Sequence, residues 1–378
     1  MNKNSTLWGA ILVLVMVFGL VPEGRAAQKE QPKKAAPAGA NWDSVLQAAR
    51  AEGSLIVYST ANPATKQALT KAMKDKYGIT VDFIIGRGEE LVQRIKLENQ
   101  AGIYQGDVLL AGGTTLQLTL KPTGAMANLD SALILPDVAD PAKWRGKKLP
   151  FMDREHQVIA FINQTASHVA VNTESIKPKD LKSFRDLIDP KWKGKIVMDD
   201  PTVSGAADDW AHLMLIIFGP EKGKEYLQQL TKQDLVVMRD KRLVVEWVAR
   251  NKYPIAIGPD LQTYSEFRKN GAPITELKMN EGSASLAGGG CLAMLKRAAH
   301  PNASLVFMNW LLTKEGQTIF QNAYGTPSAR LDVDVSGIDP AFIPLEGEKL
   351  ISSTSEDWYV GKAAGVEVVK QIFKPLMR

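Results

Sequence analysis

Asp189-Pro190-Lys191-Trp192-Lys193-Gly194-Lys195-Ile196, with Ser204-Gly205-Ala206 shortly after it, is the stretch on which the reading of this chain turns. An apolar segment, Ile196 to Met198, leads through Asp200-Pro201 into a turn of small residues. That turn opens a run in which Ala207, Trp210, Ala211, Met214, Leu215 and Phe218 recur at helical spacing. The first N–H groups of such a helix are unpaired and lie at the positive end of its dipole, so they form a natural seat for an anion. Ser204 is expected to cap the helix, and Gly205 to let a ligand approach the backbone closely. The same residues also describe an ordinary serine-capped structural helix, so the surrounding sequence has to decide.

The chain begins with an export pattern. Lys3 supplies a positive start, Leu7 to Val21 is apolar, and Gly24-Arg25-Ala26 is a small-x-small cleavage signal. No cysteine follows at that signal to take a lipid. Residues 1–26 therefore read as a signal peptide and 27–41, rich in Lys, Pro, Ala and Gly, as a disordered tether. A retained membrane anchor is the alternative; a soluble periplasmic protein is the expectation.

At 378 residues, 45% hydrophobic and 23% charged, the chain is long enough for two domains with sizeable cores. Its one cysteine, Cys291, cannot form an internal disulfide and lies in the apolar run Cys291 to Leu295, which suits a buried inert thiol. The net charge of +5 is spread among acids, with no basic stripe interleaved with aromatics, so nucleic acid is not an expected partner.

From Asp43 onward strands and helices alternate. Asp43 to Ala51 reads as a helix stopped by Gly53, Ser54 to Tyr58 as a strand, and Ala64 to Tyr77 as a helix ended by Gly78. Thr80 to Ile85, Glu89 to Gln100 and Asp107 to Leu110 continue the pattern, which recurs between Val158 and Lys278. Such alternation implies an α/β fold with parallel strands and helices on both faces, and ligands in these folds bind beyond the carboxyl ends of the strands. The loops there carry Ser59, Thr60 and Asn62; Arg87 between two glycines; and Gly112 and Gly113. They combine small residues with hydroxyl, amide and guanidinium groups, a cradle for a polar ligand. Arg87 suits a carboxylate or phosphate, unless Glu89 or Glu90 takes it.

No catalytic constellation appears. There is no phosphate loop, zinc spacing or nucleophile elbow, and His156, His168, His212 and His300 stand singly. Hence no catalytic residues, no metal ligands and no cofactor are assigned.

From Trp42 to about Val335 the chain resembles the extracytoplasmic solute-binding proteins of ABC importers, in particular the ferric-ion-binding branch. The matching stretches are Glu52 to Ser59, Asp107-Val108, Val171-Asn172-Thr173, Asp189 to Ile196 and Ser204-Gly205-Ala206. Further ones run from His300-Pro301-Asn302-Ala303 through Asn309-Trp310-Leu311-Leu312 and Glu315-Gly316-Gln317 to Arg330-Leu331-Asp332-Val333. The resemblance implies a two-lobed type II periplasmic-binding-protein fold, each lobe a mostly parallel sheet with flanking helices, joined by crossing hinge strands. It assigns 42–164 and 284–336 to the first lobe and 165–283 and 337–378 to the second. Crossings are implied near Gln164 and Ser283 with a third near Ser336, and Asp357 to Leu376 becomes a helix on the second lobe. The resemblance also implies a monomer partnered by an inner-membrane permease.

The same resemblance removes the iron ligands. Ferric-binding relatives hold the metal with a His, a Glu and two adjacent tyrosines; here Asn62, Gly112, Leu261 and Gln262 stand at those positions, with Tyr58 and Tyr264 nearby. Relatives also cradle an anion on the Ser-Gly-Ala turn, and Ser204, Gly205 and Ala206 keep that part. Lys241 aligns with an anion-contacting position, and Asp260 and Gln262 sit on a loop where the family places ligand contacts, although Asp260 also suits a helix cap. The expected cargo is a small anionic or zwitterionic solute: a carboxylate, phosphate or organophosphate. Alternatives are ferric iron or a ferric chelate, and an enzyme or sensor-input protein on the same fold.

Overall fold

Six elements open the folded chain in strict alternation: α1 (Trp42–Glu52), β1 (Ser54–Ser59), α2 (Pro63–Tyr77), β2 (Thr80–Ile85), α3 (Gly88–Gln100) and β3 (Val108–Ala111). The computed structural model describes residues 41–377, all within one compact unit; the expected signal peptide and nearly all of the expected tether lie outside the described residues. Gly53 and Gly78 close α1 and α2 at positive φ, as the sequence anticipates, and Asn41 and Asn62 cap their N-termini.

A π-helical turn (Thr115–Leu120) and a short helix α4 (Pro136–Ala139) lead to β4 (Ile159–Ala160), β5 (Gln164–Ala166) and β6 (Val169–Asn172). The second alternating series follows: β7 (Ile196–Asp199), α5 (Ala206–Phe218), α6 (Pro220–Leu230), β8 (Val236–Met238), α7 (Lys241–Ala249), β9 (Ile255–Ile257), α8 (Leu261–Lys269) and β10 (Ile274–Glu276). The chain then returns through β11 (Ser283–Leu286) and β12 (Cys291–Met294) into α9 (Pro301–Leu312) and α10 (Lys314–Tyr324), and ends with β13 (Leu350–Ser352) and α11 (Glu356–Phe373).

Two five-stranded sheets result, ordered β2-β1-β3-β12-β4 and β10-β6-β9-β7-β8. In each, one strand runs against the rest: β12 in the first and β6 in the second. Each reversed strand follows directly on a crossing strand, β11 or β5, which accounts for its direction. Those crossing strands pair antiparallel with each other, and β13 joins β11 in parallel. The strands that connect the two sheets, β5 and β11, begin at Gln164 and Ser283. No strand occurs at Ser336, whose N–H and hydroxyl close a turn on Asp334; the third strand of the small sheet is β13.

The central strands are buried along their length, β7 and β9 among them, which is why Ile196–Met198 and Ile255–Ile257 read as continuous apolar runs. The first sheet's outer core gathers Leu55, Val57, Leu110, Leu292, Phe307 and Trp310. The second sheet packs Val197, Ile257, Trp210, Met214 and Val244 into a separate layer. Cys291 is fully buried in β12 and burial pushes its thiol up, so it is inert. The α11 helix packs on α5 and α6, as expected of the tail, but also on the Thr115–Leu120 turn that follows β3.

Candidate functional site

Strand register gathers the site. In the second sheet Asp199 lies opposite Met238 and Met198 opposite Ile257, so β7, β8 and β9 end together and release their loops at one edge. Those loops carry Ser204, Gly205 and Ala206, Lys241, and Asp260 with Gln262. In the first sheet Ser59 lies opposite both Ile85 and Leu110, which brings together the loops of Ser59, Thr60 and Asn62, of Arg87, and of Gly112 and Gly113. This is the carboxyl-end placement that open α/β sheets use for ligands.

The α5 N-terminus differs from the expectation in one respect. Gly205, not Ser204, is its N-cap, and no side chain accepts from the first turn. Those N–H groups are therefore left for an outside acceptor. Gly205 has extended backbone (φ 169°), so its glycine identity is a matter of space. A Cβ there would lie 3.0 Å from Asp199 Oδ2 and 3.4 Å from Lys241 Nζ. Lys241, capped into α7 by Asp240, thus turns its amine toward the cradle instead of into solvent. Gly258, at φ +68°, lets the end of β9 approach α5; a Cβ on it would meet Ala207 N at 2.5 Å.

Asp199, which the sequence reading passed over, is 2% exposed, and its Oδ2 has no hydrogen-bond partner. Burial, reinforced by Asp260 and Asp200 and opposed by Lys241 and the Asp200 N–H, pushes its pKa up to about 7. The other acids here are spoken for. Asp200 accepts from Thr202 and pairs with Arg239 Nε at 2.9 Å. Asp260 caps α8, its Oδ1 accepting from the Thr263 N–H and hydroxyl at 2.9 and 2.7 Å.

On the first sheet the loops are stitched into place. The Ser59 hydroxyl is buried and accepts from Ala61 N at 3.0 Å; Thr60 N donates to Leu110 O; Asn62 caps α2 by accepting from Thr65 N at 2.8 Å. Arg87 is exposed, its N–H donates to Glu90, and its guanidinium makes no ion pair among the described residues. The glycines serve packing: a Cβ on Gly113 would collide with the Tyr359 hydroxyl of α11, and one on Gly112 would sit 3.4 Å from Gly288 O. A surface pocket of about 350 Å³ lined by Ile95, Glu98, Tyr104 and Arg297 sits at the other end of α3 and is separate from these loops.

Two polar connections join the sheets' loops. Lys362 of α11, 1% exposed, reaches Thr114 Oγ1 (2.9 Å) beside β3 and both Asp208 Oδ2 (2.6 Å) and Asp209 Oδ1 (2.5 Å) at the start of α5. Burial opposes its charge, but the two carboxylates outweigh burial and raise its pKa. Burial raises Asp208 to about 6 despite Lys362, and the charge of Glu89 across from it adds to the rise. Asp208 and Asp209 at the head of α5, and Glu89 two residues after Arg87, therefore place acidic groups near both sets of loops. Second, Gln262 Nε2 donates to the Tyr324 hydroxyl of α10 at 2.8 Å, and that hydroxyl also accepts from Gly289 N.

Tyr58 and Tyr264, the phenols remaining near the expected metal positions, are buried and engaged. Tyr58 donates to the Glu98 carboxylate, and Tyr264 accepts from Glu276 N at 2.9 Å while packing on Phe342. Lys362, Tyr359 and Asp199 were missed in the sequence. Asp199 carried a signal there, an acid at the last position of an otherwise apolar strand, and Lys362 carried one in its helical spacing from Trp358 and Val369.

Residues 67–341 match the bacterial extracellular solute-binding protein family, and the chain belongs to it. It is 25% identical over 290 residues to an uncharacterized protein of Haemophilus influenzae, covering 73% of this chain and 78% of that one. Iron-bound HitA from Pseudomonas aeruginosa has a similar structure, with TM-score 0.68 and 21% identity over 84% of this chain and 99% of that one. AfuA from Actinobacillus pleuropneumoniae, with fructose 6-phosphate bound, gives TM-score 0.65 and 22% identity over 85% and 98%. The fold is thus the two-lobed type II fold of periplasmic binding proteins, and family membership places the protein outside the cytoplasm.

Proposed function

We propose that the protein captures a small anionic or zwitterionic solute in the cleft between its two sheets and delivers it to an inner-membrane ABC permease. It does so as a monomer, without catalysing a reaction on the solute. The observation that supports this best is the α5 N-terminus, uncapped by any side chain, with the Lys241 amine beside it. A phosphate or carboxylate satisfies both, and Arg87 supplies a further free guanidinium on the opposite rim. Organophosphates such as the fructose 6-phosphate seen in AfuA have the required chemistry. An organic solute is favoured over bare ferric iron by the engagement of Tyr58 and Tyr264 in the interior.

The test is mass spectrometry of small molecules that co-purify with the protein, followed by calorimetry on variants. Each charge-assisted contact is worth roughly 1.5–3 kcal/mol, so Arg87→Ala is expected to weaken binding by about ten- to a hundredfold. Gly205→Val should do at least as much, because its methyl groups enter the space between Asp199 and Lys241 without backbone strain. Lys179→Ala, on an exposed turn, should change nothing. Unchanged affinity in both Arg87→Ala and Gly205→Val would place the ligand elsewhere.

A further inference from the structure

We propose that Asp199 makes the site selective for anions that also carry a hydrogen-bond donor, an ammonium or a hydroxyl, a short distance from the anionic group. This rests on the anion-binding reading above and narrows it to a class of solute.

Asp199 holds an unmet acceptor. Buried carboxylate oxygens are ordinarily hydrogen-bonded, and leaving one without a partner is costly. Asp199 is 2% exposed, yet its Oδ2 has no partner. Its surroundings hold donors that do not serve it. Arg239 is committed to Asp200, and the Thr202 and Thr263 hydroxyls to Asp200 and Asp260. Lys241 acts on it through space but forms no ion pair with it among the described residues.

The vacant position has a definite place. The point a Cβ on Gly205 would occupy is 3.0 Å from Asp199 Oδ2 and 3.4 Å from Lys241 Nζ. An acceptor and a cation thus flank one volume at the head of α5. An anion seated on Lys241 and the α5 N–H groups brings its charge close to Asp199; a donor on the same ligand turns that repulsion into a hydrogen bond. Burial keeps the carboxyl near the point of ionisation at neutral pH, so a ligand ammonium or hydroxyl can draw it into the acceptor form. The charged groups that bear on it are Lys241 from α7, Asp260 from the head of α8, and Asp200 from its own loop.

Three matched probes test this by calorimetry at pH 7.5: propyl phosphate, 2-hydroxyethyl phosphate and 2-aminoethyl phosphate. Wild-type protein should bind the amino or the hydroxy compound roughly tenfold or more tightly than propyl phosphate, and the stronger of the two identifies the donor. Asp199→Asn and Asp199→Ala, checked for folding by circular dichroism, should erase that preference while propyl phosphate binds as well as before or better. Equal affinities for the three probes in the wild type, or an equal loss for all three in both variants, would overturn the selectivity while leaving anion binding intact. If none of the three binds the wild-type protein, organophosphate binding itself fails and the selectivity goes with it.

Discussion

Asp199 also sets a pH dependence that does not need a ligand. Its folded pKa is raised to about 7, whereas an unfolded chain ionises an Asp near 4. Between those values the folded state holds more protons than the unfolded one, so this residue costs stability as pH rises through the window. Asp199→Asn removes the cost. Thermal melts of the ligand-free variant should show it more stable than wild type at pH 8, by at most about 4 kcal/mol, with the gain shrinking toward zero near pH 4. His168 and His212, held neutral by burial with pKa values of about 4, act in the opposite sense below pH 6.5, but they are common to both proteins and cancel in the comparison. A variant no more stable at pH 8 than at pH 4, relative to wild type, would contradict the assignment. At this scale the sequence was legible where a side chain works locally. Asp260, readable as a helix cap, caps α8, and Gly205 is a position where a Cβ would intrude, whereas the capping of α2 by Asn62 went unread. It was illegible where a contact is made across the fold: nothing near Gly113 announces the Tyr359 hydroxyl that fills the space above it.

Helix α11 shows the same division one scale up. The apolar positions Trp358, Ala363, Val366, Val369 and Phe373 make it readable as a packed helix; Trp358, Val369 and Phe373 are buried, Val366 half-buried and Ala363 exposed. The same spacing places Lys362, four residues after Trp358 and seven before Val369, on that inward face, and it is 1% exposed between Thr114, Asp208 and Asp209. Periodicity gives its face but not its partners, because the residues that make its burial tolerable come from the loop after β3 and from α5. The elements themselves were legible wherever glycine or a fully apolar strand punctuated the chain, as at Gly53, Gly78 and β7; the strand β13, two-thirds exposed, carried no such pattern. Removing the lysine leaves two carboxylates facing Glu89 without compensation. Lys362→Met should therefore destabilise the protein by about 3–5 kcal/mol at pH 8, a magnitude typical of breaking a buried pair by deleting one partner. Because Asp208 is raised to about 6 and rises further without the lysine, protonation relieves the strain. Melts at pH 5 should show a clearly smaller deficit than at pH 8. An equal deficit at both would assign the loss to packing of the methylene stem alone.

For the whole molecule the question is what drives the lobes together. A ligand shifts a two-state equilibrium only by its differential affinity for the two states, and one that touches both lobes supplies it. Arg87 stands on the loop after β2, and Ser204-Gly205-Ala206 on the loop after β7, so a bound anion reaching both contributes only when the lobes approach. The protein adds a contact of its own: Gln262 donates to the Tyr324 hydroxyl, which also accepts from Gly289 N. Tyr324 is buried, so Tyr324→Phe leaves two donors short of an acceptor without opening a cavity. If this contact belongs to the closed state, the variant should bind solute about tenfold more weakly through a less favourable closing step, with the same ligand preferences. Small-angle scattering measures the step directly. Wild-type protein saturated with its co-purifying solute should be more compact than protein stripped of it, and Tyr324→Phe should need more solute to reach the same radius of gyration. Gly205→Val should stay near the ligand-free radius at the lowest concentration that saturates the wild type. A radius that does not change on saturating the wild type would mean that solute binds without drawing the lobes together, and that the Gln262–Tyr324 contact serves stability alone.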